Sequence, residues 1–223
     1  MATYVLVHGA FVGGWYWRDF AALLRSKGHE VYPPTLTGLG ERVHLMRPET
    51  NLSTHIQDVI NVIEYEDLHD IILVGHSYGG MVITGAADQL PERIAHLVYV
   101  DAVVPSVGQA MADGGPGGRN RTPPSDGRIP PPADPISDSS RRRHRWVGQP
   151  VGTFVEPIEL RVPPEKQHFK LTFVRALQGA QNAEPGASRA RNDARWSYVE
   201  LPCGHNVHRE MPNELAAILL QLA

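Results

Sequence analysis

Residues 71–83 constrain this chain more than any other stretch. They read Ile71-Ile72-Leu73-Val74-Gly75-His76-Ser77-Tyr78-Gly79-Gly80-Met81-Val82-Ile83: a strand-length apolar run, a Gly-x-Ser-x-Gly turn and a second apolar run suited to a helix. The five-residue pattern alone is common by chance. Here glycines flank the serine where a sharp turn has no room for a Cβ, and strand and helix lie on the required sides. Such a turn holds the Ser77 hydroxyl up at the carboxyl edge of a sheet. A helix starting at Ser77 also aims free backbone N–H groups at any oxyanion formed beside it. Gly75, Gly79 and Gly80 lack the Gly-x-Gly-x-x-Gly spacing of a dinucleotide fingerprint.

The rest of the chain repeats the strand-then-helix rhythm. Short apolar runs at Tyr4–Val7, Glu30–Tyr32, Ile71–Val74, Leu97–Val100, Leu171–Val174 and Tyr198–Leu201 read as strands, mostly apolar throughout, as strands covered on both faces should be. Between them Ile56, Val59, Ile60 and Ile63 fall at helical spacing after a candidate cap, Ser53. Leu215, Ile218, Leu219 and Leu222 do so behind Pro212, which suits a first helical turn. The expectation is an α/β architecture, a mostly parallel central sheet with helices on both faces, in one domain over 1–223. The rhythm fails from Pro105 to about Pro164. Residues 105–135 hold eight prolines and six glycines, so 105–164 is expected to be a short Pro/Gly-rich insertion lying over one end of the sheet as a lid.

Bulk properties narrow the partners. With 223 residues the chain needs neither disulfide nor metal to build a core, and a net charge of −3 gives no pull toward nucleic acid or anionic membranes. Arg141-Arg142-Arg143-His144-Arg145 is the only concentrated positive charge and reads as a solvated face of the lid. The single cysteine, Cys203, excludes an internal disulfide, which fits a reducing compartment and also a secreted protein without bridges, and it reads as a buried strand-end side chain. Residues 1–8 resemble neither a signal peptide nor a membrane span, so a soluble cytoplasmic protein is expected. No clustered metal ligands or cofactor motif are evident, so neither metal nor cofactor is expected, and the partner is a small molecule.

A serine hydroxyl needs a base. Of eleven histidines, His205 alone follows the last expected strand and precedes the C-terminal helix, in the chain order Ser then His that suits the turn at Ser77. The N–H of Tyr78 supplies one oxyanion donor. The turn His8-Gly9-Ala10-Phe11, ending the first strand at the same edge, supplies the other through Ala10 or Phe11. Phe11, Tyr78 and Trp146 are the candidate substrate-binding walls, with Trp15, Trp17 and Phe154 as further aromatic candidates. Trp15 and Trp17 are better explained as packing for the helix that follows them.

Val5-Leu6-Val7-His8-Gly9-Ala10, Gly13-Gly14-Trp15, Pro34-Thr35-Leu36-Thr37-Gly38-Leu39-Gly40, the Ser77 segment and Gly204-His205 together resemble bacterial α/β-hydrolase fold esterases, a group similar to the plant methylesterases and hydroxynitrile lyases. The resemblance is dense over residues 4–110, thinner from about 151 onward, and implies a serine esterase with a catalytic triad. Lyases of that group carry threonine where this chain has Gly9, and lysine where it has Asn206; both departures favour hydrolysis. Family members often place the triad acid just after the strand assigned here to Leu171–Val174, but this chain reads Arg175-Ala176-Leu177-Gln178-Gly179-Ala180 there. Asp101, ending the neighbouring strand, is the first candidate for the acid. Glu184 and Asp193 are the alternatives, and a site without an acid is a fourth possibility. The resulting expectation is hydrolysis of a small apolar or aromatic carboxylic ester through an acyl-serine. The alternatives are carbamate or amide hydrolysis at the same site, or a non-catalytic small-molecule-binding relative.

Overall fold

The structure, a computed structural model, describes residues 1–114, 125–132 and 145–223. The chain order is β1 Thr3–Val7, α1 Arg18–Ser26, β2 Glu30–Tyr32, α2 Leu52–Tyr65, β3 Ile71–His76, α3 Gly79–Gln89 and β4 Ile94–Val100. After the insertion's short β5 Arg128–Ile129, β6 Gln149–Pro150 and α4 Gly152–Val155 come β7 Lys170–Gln178, α5 Glu184–Arg191, β8 Trp196–Gly204, α6 Val207–Glu210 and α7 Pro212–Leu220. Six strands form one sheet in the order β2-β1-β3-β4-β7-β8, every pair parallel.

Strand alternation divides the core in two. Val5, Leu73, Leu97, Tyr99, Leu171 and Phe173 face α2, α3 and α5. Tyr4, Leu6, Ile72, Val74, Val98, Val100 and Val174 face the other way, onto Trp17, Phe20 and Leu24 at α1 and Leu215 and Leu219 of α7. Because both faces are covered, the strands read as continuous apolar runs instead of alternating ones. All six expected strands are present, several of them longer at their ends. Pro212 begins α7 as expected.

Two local expectations are corrected. Asn51, not Ser53, caps α2: its side chain accepts from Thr54 N (2.9 Å), while Thr54 Oγ1 accepts from Asn51 N (3.3 Å). Ser53 lies inside the first turn, its N–H and hydroxyl both donating to Glu156. The second correction is that α3 begins at Gly79, not Ser77, because Ser77 itself has φ +56° and cannot be helical.

Sheet order decides where a site can form. From β1 the chain runs outward to β2, then returns to place β3 on the other side of β1. The loops after β1 and β3 therefore diverge at a topological switch point, leaving a crevice at the carboxyl ends of the strands. The two ends of the segment between β4 and β7 pair with each other, Gly108 N–H to Ile158 O and Ile158 N–H to Gln109 O, both 2.9 Å. Among the described residues, no helix is long and apolar enough to cross a membrane.

Candidate active site

Ser77 leaves β3 in a left-handed conformation that L-residues rarely adopt. Its carbonyl accepts from Gly80 N and Val103 N, both at 3.1 Å, which fastens the turn to helix α3 and to the segment after β4. A Cβ on Gly79 would lie 2.7 Å from Val7 O and 2.9 Å from His8 O, so the turn closes directly against the end of β1. Phe11 (φ +69°) and Asp101 (φ +43°) are also left-handed, so among the described residues three of the five non-glycine positions with positive φ lie at this one edge. Such strain costs roughly 1–3 kcal/mol each and persists only where the surroundings over-determine it.

Asp101 directly follows β4 and is wholly buried. Its Oδ2 accepts from His205 Nδ1 at 2.6 Å and from Ala180 N at 2.8 Å. Oδ1 accepts from Arg175 Nη1 at 2.5 Å and Ala176 N at 3.3 Å. Burial alone would raise this carboxyl's pKa, but the donors on His205, Ala180 and Arg175 outweigh it and hold the pKa below the usual value. Every hydrogen-bonding direction of the carboxylate thus meets a donor. Glu184 is half exposed and pairs with the far side of Arg175 at 3.1 Å; Asp193 pairs with Arg195. The structure therefore brings Asp101 to His205, and neither Glu184 nor Asp193. A Cβ on Gly179 would lie 2.1 Å from Asp101 Oδ2, so only glycine there leaves room for the carboxylate.

His205 is held from behind. His76 Nε2–H donates to its carbonyl at 2.9 Å, and the two rings lie 4.5 Å apart. The His208 ring lies 4.2 Å from Trp17 and 5.0 Å from His76. Burial pushes His208 down to about 3 and His76 well below its ordinary value, so both support the loop as neutral rings. The Ser77 hydroxyl is not hydrogen-bonded to His205 in this structure; such contacts often tighten only when substrate is bound.

Of the oxyanion candidates, Phe11 is corrected: its N–H is spent on Gln149 Oε1 at 2.9 Å. Ala10 and Tyr78 remain, and neither N–H has a hydrogen-bond partner among the described residues. Leu36 N–H donates to His8 Nε2 (3.1 Å), so Nδ1 bears the proton and donates to Gly9 O (2.7 Å). Burial lowers His8 to about 4, which keeps it neutral.

The Tyr78 side chain is fully buried, its hydroxyl bonded to His55 Nδ1 at 3.0 Å. Its ring is therefore core, and only its backbone is available at the turn. Phe11 packs edge-on against Phe154, whose ring lies 5.7 Å from that of Tyr78. Trp146 meets Tyr16 edge-on at 6.3 Å, and Tyr16 donates to Asn206 beside His205 (2.8 Å). Trp17 is buried against Phe20, and Trp15 lies under the Arg145 guanidinium. Arg141-Arg142-Arg143-His144 lies outside the described residues. Among the described residues, no group of three or more His, Cys, Asp or Glu is arranged to hold a metal ion. Cys203 is free and buried, its thiol pushed up to about 11 by burial.

Sequence reasoning missed Arg175, Gln149, His76 and His208. A lone arginine in the apolar run Leu171-Thr172-Phe173-Val174-Arg175-Ala176 was the one available signal, since a buried cation requires a buried partner.

A model of the Alpha/beta hydrolase family matches residues 4–218. The chain belongs to this family. It is 39% identical over 253 aligned positions to a carbendazim-hydrolyzing esterase of Nocardioides sp. (strain SG-4G), covering 100% of both chains. Polyneuridine aldehyde esterase of Rauvolfia serpentina is 31% identical over 114 residues, 48% of this hydrolase and 41% of that enzyme. An extracellular alpha/beta-hydrolase from a Paenibacillus species superposes with TM-score 0.79 at 23% identity, covering 100% of this chain and 99% of that one; that likeness speaks to fold alone. Family, fold and esterase relatives together identify a serine ester hydrolase.

Proposed function

We propose that this hydrolase cleaves a small apolar or aromatic carboxylic ester through an acyl intermediate on Ser77. The observation that supports the reading most is the 2.6 Å pair of His205 Nδ1 and buried Asp101, at the sheet edge where the strained Ser77 is held. With Nδ1–H donated to Asp101, Nε2 is left as the base. Ser77 Oγ attacks the ester carbonyl carbon while its proton passes to Nε2. Asp101 stabilises the imidazolium that forms, and the N–H groups of Ala10 and Tyr78 receive the charge developing on the carbonyl oxygen. Nε2–H then protonates the departing alcohol, and water repeats the sequence to free the acid. The described parts of 105–164 act as the lid, with Phe11 and Trp146 as walls.

The same site acting on a carbamate or amide is supported, though not favoured, by the likeness to the carbendazim-hydrolyzing esterase. A cytoplasmic location is part of the reading, on the strength of the lone, free Cys203; cell fractionation tests it. A fluorophosphonate probe with a screen of short and aromatic esters tests the chemistry. The expected result is labelling and hydrolysis by the wild type, with labelling abolished and turnover reduced by several orders of magnitude in Ser77→Ala and in His205→Ala. An unlabelled, inactive wild type makes the chain a binding protein, and more than a tenth of the turnover left in either variant removes that residue from the mechanism.

A further inference from the structure

Two hydrogen bonds tie the insertion to the loop after β1, and both fall on Phe11. Val147 N–H donates to Phe11 O, and Phe11 N–H donates to Gln149 Oε1, each at 2.9 Å. Gln149 is polar yet has no exposed surface. Its Nε2 donates to Thr153 Oγ1 at 2.7 Å, and that hydroxyl donates to Pro150 O at 2.7 Å. The amide is thus oriented from within the insertion, with its oxygen fixed toward Phe11.

A trans peptide is planar, so its N–H points opposite to its C=O, and fixing one fixes the other. On the core side His8 Nδ1–H holds Gly9 O, which sets the direction of the Ala10 N–H. On the insertion side Gln149 holds the N–H of the next peptide, and Val147 holds the carbonyl after it. Ala10 therefore sits between two clamped peptides, one governed by the core and the other by the insertion. The left-handed φ of Phe11 is a conformation a phenylalanine does not keep unaided, and these two bonds are what hold it.

We propose that Gln149 is a positioning residue for the oxyanion hole: segment 145–155 is a working part of the hole as well as a cover, because by holding the peptide after Ala10 it keeps the Ala10 N–H in the direction that the His8-held Gly9 carbonyl gives it. This rests on the reading of Ala10 and Tyr78 as oxyanion donors given above. Oxyanion donors act mainly on the transition state, so their misalignment lowers turnover and leaves ground-state binding nearly unchanged.

Gln149→Met removes the acceptor at similar volume. Thr153→Val leaves Gln149 in place but takes away the group that orients its amide, and it is the gentler variant should the first fail to fold. Each is compared with wild type for kcat and KM on an ester, for inhibition by a trifluoromethyl ketone, which forms a tetrahedral oxyanion on Ser77, and for inhibition by the product carboxylate. Removing a whole oxyanion donor costs about 100- to 1000-fold in turnover, so tilting one in Gln149→Met is expected to cost about 10- to 100-fold in kcat. KM stays within about 3-fold, and ketone affinity falls in step with kcat while carboxylate affinity holds. Thr153→Val shows the same pattern at about 3- to 10-fold. Unchanged kcat, or equal losses of ketone and carboxylate affinity, overturns the proposal and leaves Gln149 a packing residue. Failure of the wild type itself to hydrolyse esters is a separate result, and sinks the functional reading instead.

Discussion

Asp101→Asn is the substitution whose outcome the site specifies most sharply. An aspartate in this position is ringed by donors: His205 Nδ1, Ala180 N, Arg175 Nη1 and Ala176 N. Asparagine offers one acceptor oxygen and one NH2, and the NH2 must face two of those donors whichever way the amide turns. With the NH2 toward His205, the imidazole is pressed into the tautomer that leaves Nε2 protonated and useless as a base. With the NH2 toward Arg175, the guanidinium loses its buried acceptor, and in either orientation the neutral amide removes its fully buried counter-charge, its other partner Glu184 being half exposed. Breaking a buried pair costs about 3–5 kcal/mol of stability. The wrong tautomer costs about four orders of magnitude in turnover in a well-studied triad. The expected result for Asp101→Asn is therefore at least a roughly hundredfold fall in kcat with a lowered melting temperature. Glu184→Gln serves as the control and is expected to lose less than about threefold, because Glu184 touches only the far side of Arg175. The assay is steady-state ester hydrolysis beside thermal denaturation of the same preparations. A larger loss in Glu184→Gln than in Asp101→Asn would refute the assignment, and no loss in either would mean that Ser77 and His205 act without an acid.

Moving the acid is the reciprocal test: since a side chain at 179 would enter the space now held by the Asp101 carboxylate, Asp101→Gly with Gly179→Asp should recover at least about tenfold of the turnover lost in Asp101→Asn, and no recovery counts against interchangeable positions. Acid should unfold this protein early. Burial holds His8, His55 and His96 at about 4, His208 at about 3 and His76 well below its usual value. Below about pH 6.5 the unfolded chain takes up protons that these folded rings refuse, so stability is complete above that pH and falls by about 1.4 kcal/mol per unit for each ring, against a total of about 5–15 kcal/mol. An unfolding midpoint near pH ~5, followed by circular dichroism, is expected from that slope, and a native spectrum at pH ~4 would refute the count of neutral rings. Trp146→Ala should raise KM for aromatic esters more than it lowers kcat, and equal effects on acetate and benzoate esters would place the ring away from the acyl group.

What the sequence by itself determined is local in the chain. Strand, turn and helix around Ser77 are contiguous, so their chemistry is written in one thirteen-residue run. The six strands announce themselves because a sheet buried on both faces needs unbroken apolar runs. His205 is legible through its place between the last strand and the last helices. The tertiary structure decided everything that depends on neighbours distant in sequence. Sheet order set β4 beside β7, which put Asp101 of one strand end against Arg175, Ala176 and Ala180 of the other, with Gly179 leaving the room for its carboxylate. Phe11 looked like an equal partner of Ala10 until the fold showed its N–H committed to Gln149, 138 residues away. Tyr78 looked like a pocket wall until packing buried its ring against His55 and Phe154. Hydrogen bonds saturate, and a side chain faces one way, so which donors stay free and which rings stay exposed is settled only when every competitor in space is in place.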